Sequence, residues 1–279
     1  MQWLLTNPVD LSGLELCYIA LLGIAVGSFL NLVIVRLPLM LQQQWQQAAQ
    51  RQLALPLEEN TSKINLLIPR SYCDHCQQRL QIKDNIPLLS FLWLRGRTRC
   101  CQQAIPYYYP VVEAATALLF VVAARAGYPA IQLLGVWYLL SSLVVLALID
   151  HYHQLLPDLI TLPLLWLGLL FNLADYFVTL PQAVTGAVMG YVMLWILFWL
   201  VKWCTGREAI GYGDFKLLAA LGAWFGWQAL PSLLLLATVS GLLFALWQYR
   251  SLSLLRHQPI AFGCWLALAA TAVLFSNIT

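Results

Sequence analysis

The chain has 279 residues, of which 61% are hydrophobic and 10% charged, and its mean hydropathy is +0.73. Soluble domains carry about 25% charged residues, so a water-soluble globular protein is excluded. The apolar runs do not alternate with polar residues, which excludes a porin-type barrel and leaves an all-α polytopic membrane protein. The net charge of +3 is small, and no nucleic-acid module fits.

No basic stretch precedes the first apolar run, whereas Asp10 and Glu15 do, so an uncleaved span is expected rather than a signal peptide. That span covers about 14–35, long enough for a bilayer core at roughly 20 residues. Gly27, Ser28 and Asn31 share one face of it. They serve either as a small-residue helix contact with Asn31 as the interhelical hydrogen bond, or as a surface facing substrate. Gln42–Gln52 is able to prolong the helix beyond the membrane, and Leu53–Ser62 reads as a loop.

Residues 36–106 are the one long polar segment. It contains Cys73-Asp-His-Cys76 and then Arg95-Gly-Arg-Thr-Arg-Cys100-Cys101. A CxxC pair followed by a second cysteine pair in a loop-rich segment reads as a tetrahedral, zinc-ribbon-like metal site. Free or disulfide-linked thiols are the alternative. Cys17, Cys204 and Cys264 lie in or beside apolar runs and read as core residues. No internal repeat is apparent.

Seven further apolar runs follow, at about 107–124, 131–149, 159–178, 183–203, 217–230, 232–249 and 259–275. Pro129, Pro157, Pro181, Pro231 and Pro259 punctuate them. Counted with the first, they make about eight transmembrane helices. The expected division is a first span at 14–35, a cytoplasmic Cys-containing segment at 36–106 and a membrane-embedded segment at 107–279. With the N-terminus outside, Arg125 alone of the 15 basic residues falls outside, a clear positive-inside bias. Cysteines 73, 76, 100 and 101 then face a reducing compartment, which favours a metal over disulfides.

That orientation also puts Asp150, Asp158 and Asp214 on the cytoplasmic side. Asp150 ends an apolar run, and Asp214 lies in Gly211-Tyr-Gly-Asp214-Phe-Lys216, a polar turn at the mouth of another. Ionisable groups at membrane depth are functional by default. Two neighbouring carboxylates share a proton, so that one activates a water and the other polarises a carbonyl. A proton relay of a transporter is the rival reading, although transporters show repeat symmetry. Asp158 follows Pro157 and suits a helix N-cap. His151 and His153 read as solvated residues that tune the local charge. Glu113, inside the run that begins near Tyr107, either snorkels or lines a pocket.

Taken together, Ala25–Asn31, the Cys73–Cys76 knuckle, Asn85–Ser90, Leu94–Gly96, Tyr109–Glu113, Ile149-Asp150, Leu156–Asp158 and Gly211–Lys216 resemble the bacterial prepilin peptidases, GxGD aspartyl proteases of type IV pilus and type II secretion systems. The resemblance implies cleavage of prepilin or pseudopilin leaders at the cytoplasmic face of the inner membrane, with Asp150 and Asp214 as the catalytic pair. It also implies N-methylation of the new terminus from S-adenosylmethionine, and a zinc ion. Gly96 and Glu113 are the expected cofactor-binding residues. Such proteins carry two CxxC pairs. Here Thr98 holds the third cysteine position, so the expected ligands are Cys73, Cys76 and Cys101, with Cys100, His75 or a water as the fourth. A presenilin-like peptidase without methyl transfer is the alternative within the class.

Overall fold

A computed structural model describes residues 11–53, 65–66, 68, 70–73, 75–206, 211–249 and 261–276. The expected loop at 53–62, apart from Leu53, and the basic residues Lys63, Arg207, Arg250 and Arg256 fall outside these. Among the described residues the chain is helical, and its only extended pairings are two isolated antiparallel bridges. By internal packing it divides into two compact units, Asp10–Arg125 and Ala126–Thr279.

The first unit is built on α1 (Gly13–Gln52). Ser12 and Glu15 close its start as a capping box. The helix does not stop at the membrane but runs through Pro38 into the Gln-rich stretch. Its 40 residues span about 60 Å, roughly twice the bilayer core. The short α2 (Leu89–Trp93) and α3 (Tyr108–Arg125) complete the unit. α1 and α3 cross closely because Gly23 and Gly27 have no side chain. A Cβ at these positions would lie 2.6 Å from Ala117 Cα and 2.7 Å from Glu113 Cα. One helical step on, Asn31 Nδ2 donates to the Tyr109 carbonyl at 2.9 Å. The Gly27–Asn31 face is thus a helix contact, the first of its two readings.

The second unit comprises α4 (Ala130–His153), α5 (Asp158–Phe171), α6 (Leu180–Thr205), α7 (Tyr212–Phe225), α8 (Leu230–Tyr249) and α9 (Phe262–Ser276). α6 and α7 meet backbone to backbone. A Cβ on Gly186 or Gly222 would collide with the other's carbonyl, and one on Gly190 would lie 2.6 Å from the Leu218 carbonyl oxygen. Trp224 pins the far end of α7, where its Nε1 donates to the Leu164 carbonyl of α5 at 2.8 Å. Asn172 donates to the Ala223 carbonyl and accepts from the N–H groups of Phe177 and Val178.

Each apolar run carries a helix, but the count of eight spans is not established. Five described helices are long and apolar enough to cross a membrane: Gly13–Gln52, Tyr108–Arg125, Ala130–His153, Leu180–Thr205 and Trp227–Gln248. α7 has 14 residues, and the segments 158–174 and 262–276 are shorter apolar helices. The expected core role of Cys17 and Cys204 is corrected: both are exposed on their helices.

Candidate active site and metal centre

Asp150 lies in the last turns of α4 and Asp214 in the first turn of α7, and both are buried. The α4–α5 connection joins them, with Leu156 as the common neighbour. A Cβ on Gly213 would lie 2.7 Å from Leu156 Cβ. A Cβ on Gly263 would lie 2.9 Å from Leu156 Cδ1 and 3.0 Å from Asp150 Oδ2. The glycines therefore let the starts of α7 and α9 close on Leu156, so the turns that carry Asp150 and Asp214 meet at the same side chain.

Their surroundings differ. The Cys264 N–H donates to Asp150 Oδ2 at 2.9 Å, and the Gly263 N–H is a second donor. These are the first amides of α9, which have no intrahelical acceptor and present partial positive charge. Asp214 is held by its own turn. Gly211 is the N-cap of α7, its carbonyl accepts from the Asp214 N–H at 3.1 Å, and its own N–H reaches back to the Asp214 carboxylate. The other Asp214 oxygen, Oδ1, is buried without a partner. A buried acceptor with no donor is rare and costly, and calls for a functional reason. Gly211 has φ −75°. What the GxGD turn exploits is therefore close approach at Gly213 and not left-handed backbone.

Asp158 is not an N-cap. Pro157 holds that position with no side-chain cap, and the Asp158 carboxylate takes both oxygens to Lys216 Nζ, at 2.7 and 2.8 Å. The pair ties the start of α5 to α7 just beyond Asp214. On the other side of α7, Tyr212 meets Phe198 of α6 at a tilt and Phe215 meets both rings edge-on, and Lys202 lies over the Phe198 ring. His151 and His153 are exposed.

In the first unit, Glu113 is buried and accepts from the Leu88 N–H at 2.7 Å, with Ser28 as a further side-chain partner. Gly96 has φ +72° and a Cβ there would lie 3.1 Å from the Phe91 ring, so the turn requires glycine. Glu113 and Gly96 both buttress α2.

The cysteines form two matching knuckles. One is closed by the Tyr72–Arg79 bridge and the other by Arg97–Ala104. In the first, the Cys73 N–H donates to Gln78 and the Gln77 N–H to Cys73. In the second, the Thr98 N–H donates to Gln103 and the Gln102 N–H to Thr98. Gln77 and Gln102 both have φ 57°. The segment 72–80 is thus repeated at 97–105, a repeat hidden from the sequence because Thr98 replaces a cysteine and Cys100 stands where the first knuckle has His75. The four thiols nevertheless converge. All their sulfurs lie within 4.8 Å of one another, with Cys76–Cys100 at 3.3 Å, Cys73–Cys101 at 3.6 Å and Cys100–Cys101 at 3.9 Å. Tetrahedral ligands at a Zn–S distance of about 2.3 Å stand about 3.8 Å apart, so the cluster fits such an ion. Thr98 Oγ1 stays outside the ligand set, accepting from the Gln103 N–H and lying 3.3 Å from Cys101 Sγ. The Cys76 and His75 N–H groups donate to Cys73 and lower its thiol to about 6. Hydrogen bonding to Cys76 and then desolvation raise Cys100 to about 12.

The family model for the bacterial peptidase A24 N-terminal domain matches residues 21–126, and the one for the type IV leader peptidase family matches residues 137–246. Among curated relatives, the prepilin leader peptidase/N-methyltransferase of Dickeya chrysanthemi is 52% identical over 92% of this chain and 91% of its own length. The chain belongs to the type IV leader peptidase family. Proteins with the same designation from Pectobacterium carotovorum subsp. carotovorum and Pseudomonas putida are 51% and 48% identical, over 93% and 92% of the chain and 92% and 89% of their own lengths. No solved structure matches. The family is one of peptidases, and the chain is an enzyme of that class.

Sequence reasoning missed Leu156 as the meeting point, Gly263 as the contact of Asp150 and the amide of Cys264. A glycine at the start of the last apolar run, after Pro259, was the available signal.

Proposed function

We propose that this enzyme removes the leader of type IV prepilins or type II secretion pseudopilins at the cytoplasmic face of the bacterial inner membrane, and N-methylates the new terminus. Family membership and the relatives' designations support this reading. The observation that carries the peptidase half is the burial of Asp150 and Asp214 around Leu156, with Asp214 Oδ1 unpartnered.

The chemistry runs as for a carboxylate dyad. One carboxylate takes a proton from a water as its oxygen attacks the scissile carbonyl. The other protonates the carbonyl oxygen, and the tetrahedral adduct collapses with transfer of a proton to the leaving amine. The α9 amides fix Asp150 Oδ2, while Asp214 Oδ1 is available to a reactant. Cleavage belongs to the unit 126–279, and methyl transfer is linked to the polar 36–106 segment. S-adenosylmethionine supplies the methyl group when bound. Glu113 and Gly96 fit a role in shaping that region through α2, since the Glu113 carboxylate is already engaged by Leu88 and Gly96 by its turn. Cys73, Cys76, Cys100 and Cys101 would hold a structural zinc. The excess of basic residues between the spans supports an orientation with 36–106 and both aspartates inside and the N-terminus outside.

The test is incubation of the purified protein with a prepilin and S-adenosylmethionine, read by mass spectrometry. Loss of the leader with one added methyl supports the proposal. Leader loss without methylation selects the presenilin-like alternative, and intact substrate removes both.

A further inference from the structure

The polar segment carries an apolar face that nothing in its own unit covers. Leu89, Leu92 and Trp93 stand at i, i+3 and i+4, on one side of α2, and are 63%, 70% and 79% exposed. Ile86, just before the helix, is exposed as well. Tyr107, at the entrance of α3, is 78% exposed and sets its ring edge-on to Phe91 of α2, with centroids 6.1 Å apart. A contiguous exposed apolar face of this kind marks a contact surface.

The depth of α2 identifies the contact. The Leu88 N–H, at the head of α2, is bonded to Glu113, which stands five residues beyond Tyr108 in α3. At 1.5 Å per residue that is about 7.5 Å along the axis of a helix long and apolar enough to cross the membrane. The headgroup layer on each side of a bilayer core is on the order of 5–8 Å thick. α2 is thus tied to the level of the first turns of a span. Its far end leads into Arg95 and Arg97, both exposed, across the Gly96 turn, while Arg99 is engaged by Asp84 at 2.9 Å.

We propose that α2 is an interfacial anchor. Its Leu89–Leu92–Trp93 face is buried at the boundary of headgroups and acyl chains, and Arg95 and Arg97 meet the phosphates of anionic phospholipid. An aromatic residue beside apolar neighbours and flanking arginines is the composition that partitions to this layer. The anchor holds the two cysteine knuckles against the bilayer surface. It rests on neither the aspartate pair nor methyl transfer.

The full chain is reconstituted in vesicles of phosphatidylethanolamine and phosphatidylglycerol, doped with a phosphatidylcholine that carries a photoactivatable group high in one acyl chain. After irradiation, adducts are mapped by mass spectrometry. Adducts on Ile86–Trp93 are expected within roughly threefold of those on the exposed α1 residues Leu21 and Leu22. The triple variant Leu89→Ser/Leu92→Ser/Trp93→Ser should lose the α2 adducts by about tenfold while those on α1 persist. Wild-type protein labelled on α1 and bare on 86–93 would overturn the proposal, whatever the variant does. Labelling of α2 unchanged when phosphatidylglycerol is replaced by phosphatidylcholine would overturn the role given to the arginines.

Discussion

Asp150 and Asp214 are the same residue type at similar burial, yet they are held in opposite ways. Asp214 sits at the start of its helix and is gripped by the backbone of its own turn, three residues away. Asp150 sits near the end of its helix and is gripped by amides from a helix more than a hundred residues further along the chain. A locally built carboxylate survives as a short motif. One built from remote elements depends on the packing of the whole unit, and here that packing converges on Leu156. The expected outcomes below probe that difference, from the largest effect to the smallest.

Replacing either carboxylate removes a chemical role. Asp150→Asn and Asp214→Asn should each lower cleavage by about a thousandfold or more in a timed prepilin assay. Methylation of a pre-cleaved pilin by the same preparations should persist, which separates loss of chemistry from loss of fold.

Gly263→Ala probes the remote grip. The new Cβ must displace Leu156 or the Asp150 carboxylate by a few tenths of an ångström. We expect kcat to fall by roughly 10- to 100-fold with KM little changed, since misplacement of a catalytic group is that costly. Unaltered kcat in Gly263→Ala would show that α9 does not position Asp150.

The two knuckles offer the same contrast in miniature, since they share a backbone but draw their thiols from different positions. Cys100→Ser should lose zinc about tenfold faster than wild type under chelator challenge. Thr98→Ala should keep it, because Thr98 is not a ligand. Acidification should favour release. The Cys73 thiol, lowered to about 6 by the N–H groups of Cys76 and His75, takes up its proton as pH falls through that value, and a protonated thiol is no longer a metal ligand. Zinc content measured from pH 8 to pH 5 checks this, and retention at pH 5 would contradict it.

The smallest effect belongs to Lys216 and Asp158. Their ion pair is half-exposed, and such pairs contribute at most about 1 kcal/mol. Asp158→Asn should therefore cost only about fivefold in cleavage. A Lys216→Asp/Asp158→Lys swap should recover part of what Lys216→Asp loses.

Much of this was legible. The apolar runs each became a helix, because membrane segments satisfy their backbone internally and announce themselves by composition. The Gln-rich stretch did prolong α1. The GxGD turn could be read because Gly211 and Asp214 bond each other, and Gly27 with Asn31 because helical periodicity fixes which residues share a face. What failed did so for physical reasons. Asp158 follows a proline as an N-cap would, but Lys216, from another helix, took its carboxylate. Cys17 and Cys204 are apolar enough for a core, yet a membrane protein is apolar outside as well, so composition could not tell inside from outside. The knuckle repeat was masked because a two-position change in the ligands obscures a register that the Cys-Gln-Gln triplets at 76–78 and 101–103 preserve. The short length of α7 was legible but its bounds were not: the apolar run is 217–230, whereas the helix starts inside the GxGD turn at Tyr212 and is ended by Gly226 with φ 77°.

The central claim is that Asp150 and Asp214 act as one unit, and a double-variant comparison tests it most directly. Initial rates of prepilin cleavage are measured for wild type, Asp150→Asn, Asp214→Asn and the double variant, with methylation of pre-cleaved pilin confirming folded protein in each. Groups that share one step are non-additive, so the double variant should be no slower than the slower single variant. Substantial cleavage by either single variant, or a double-variant loss equal to the product of the two single losses, would contradict the account.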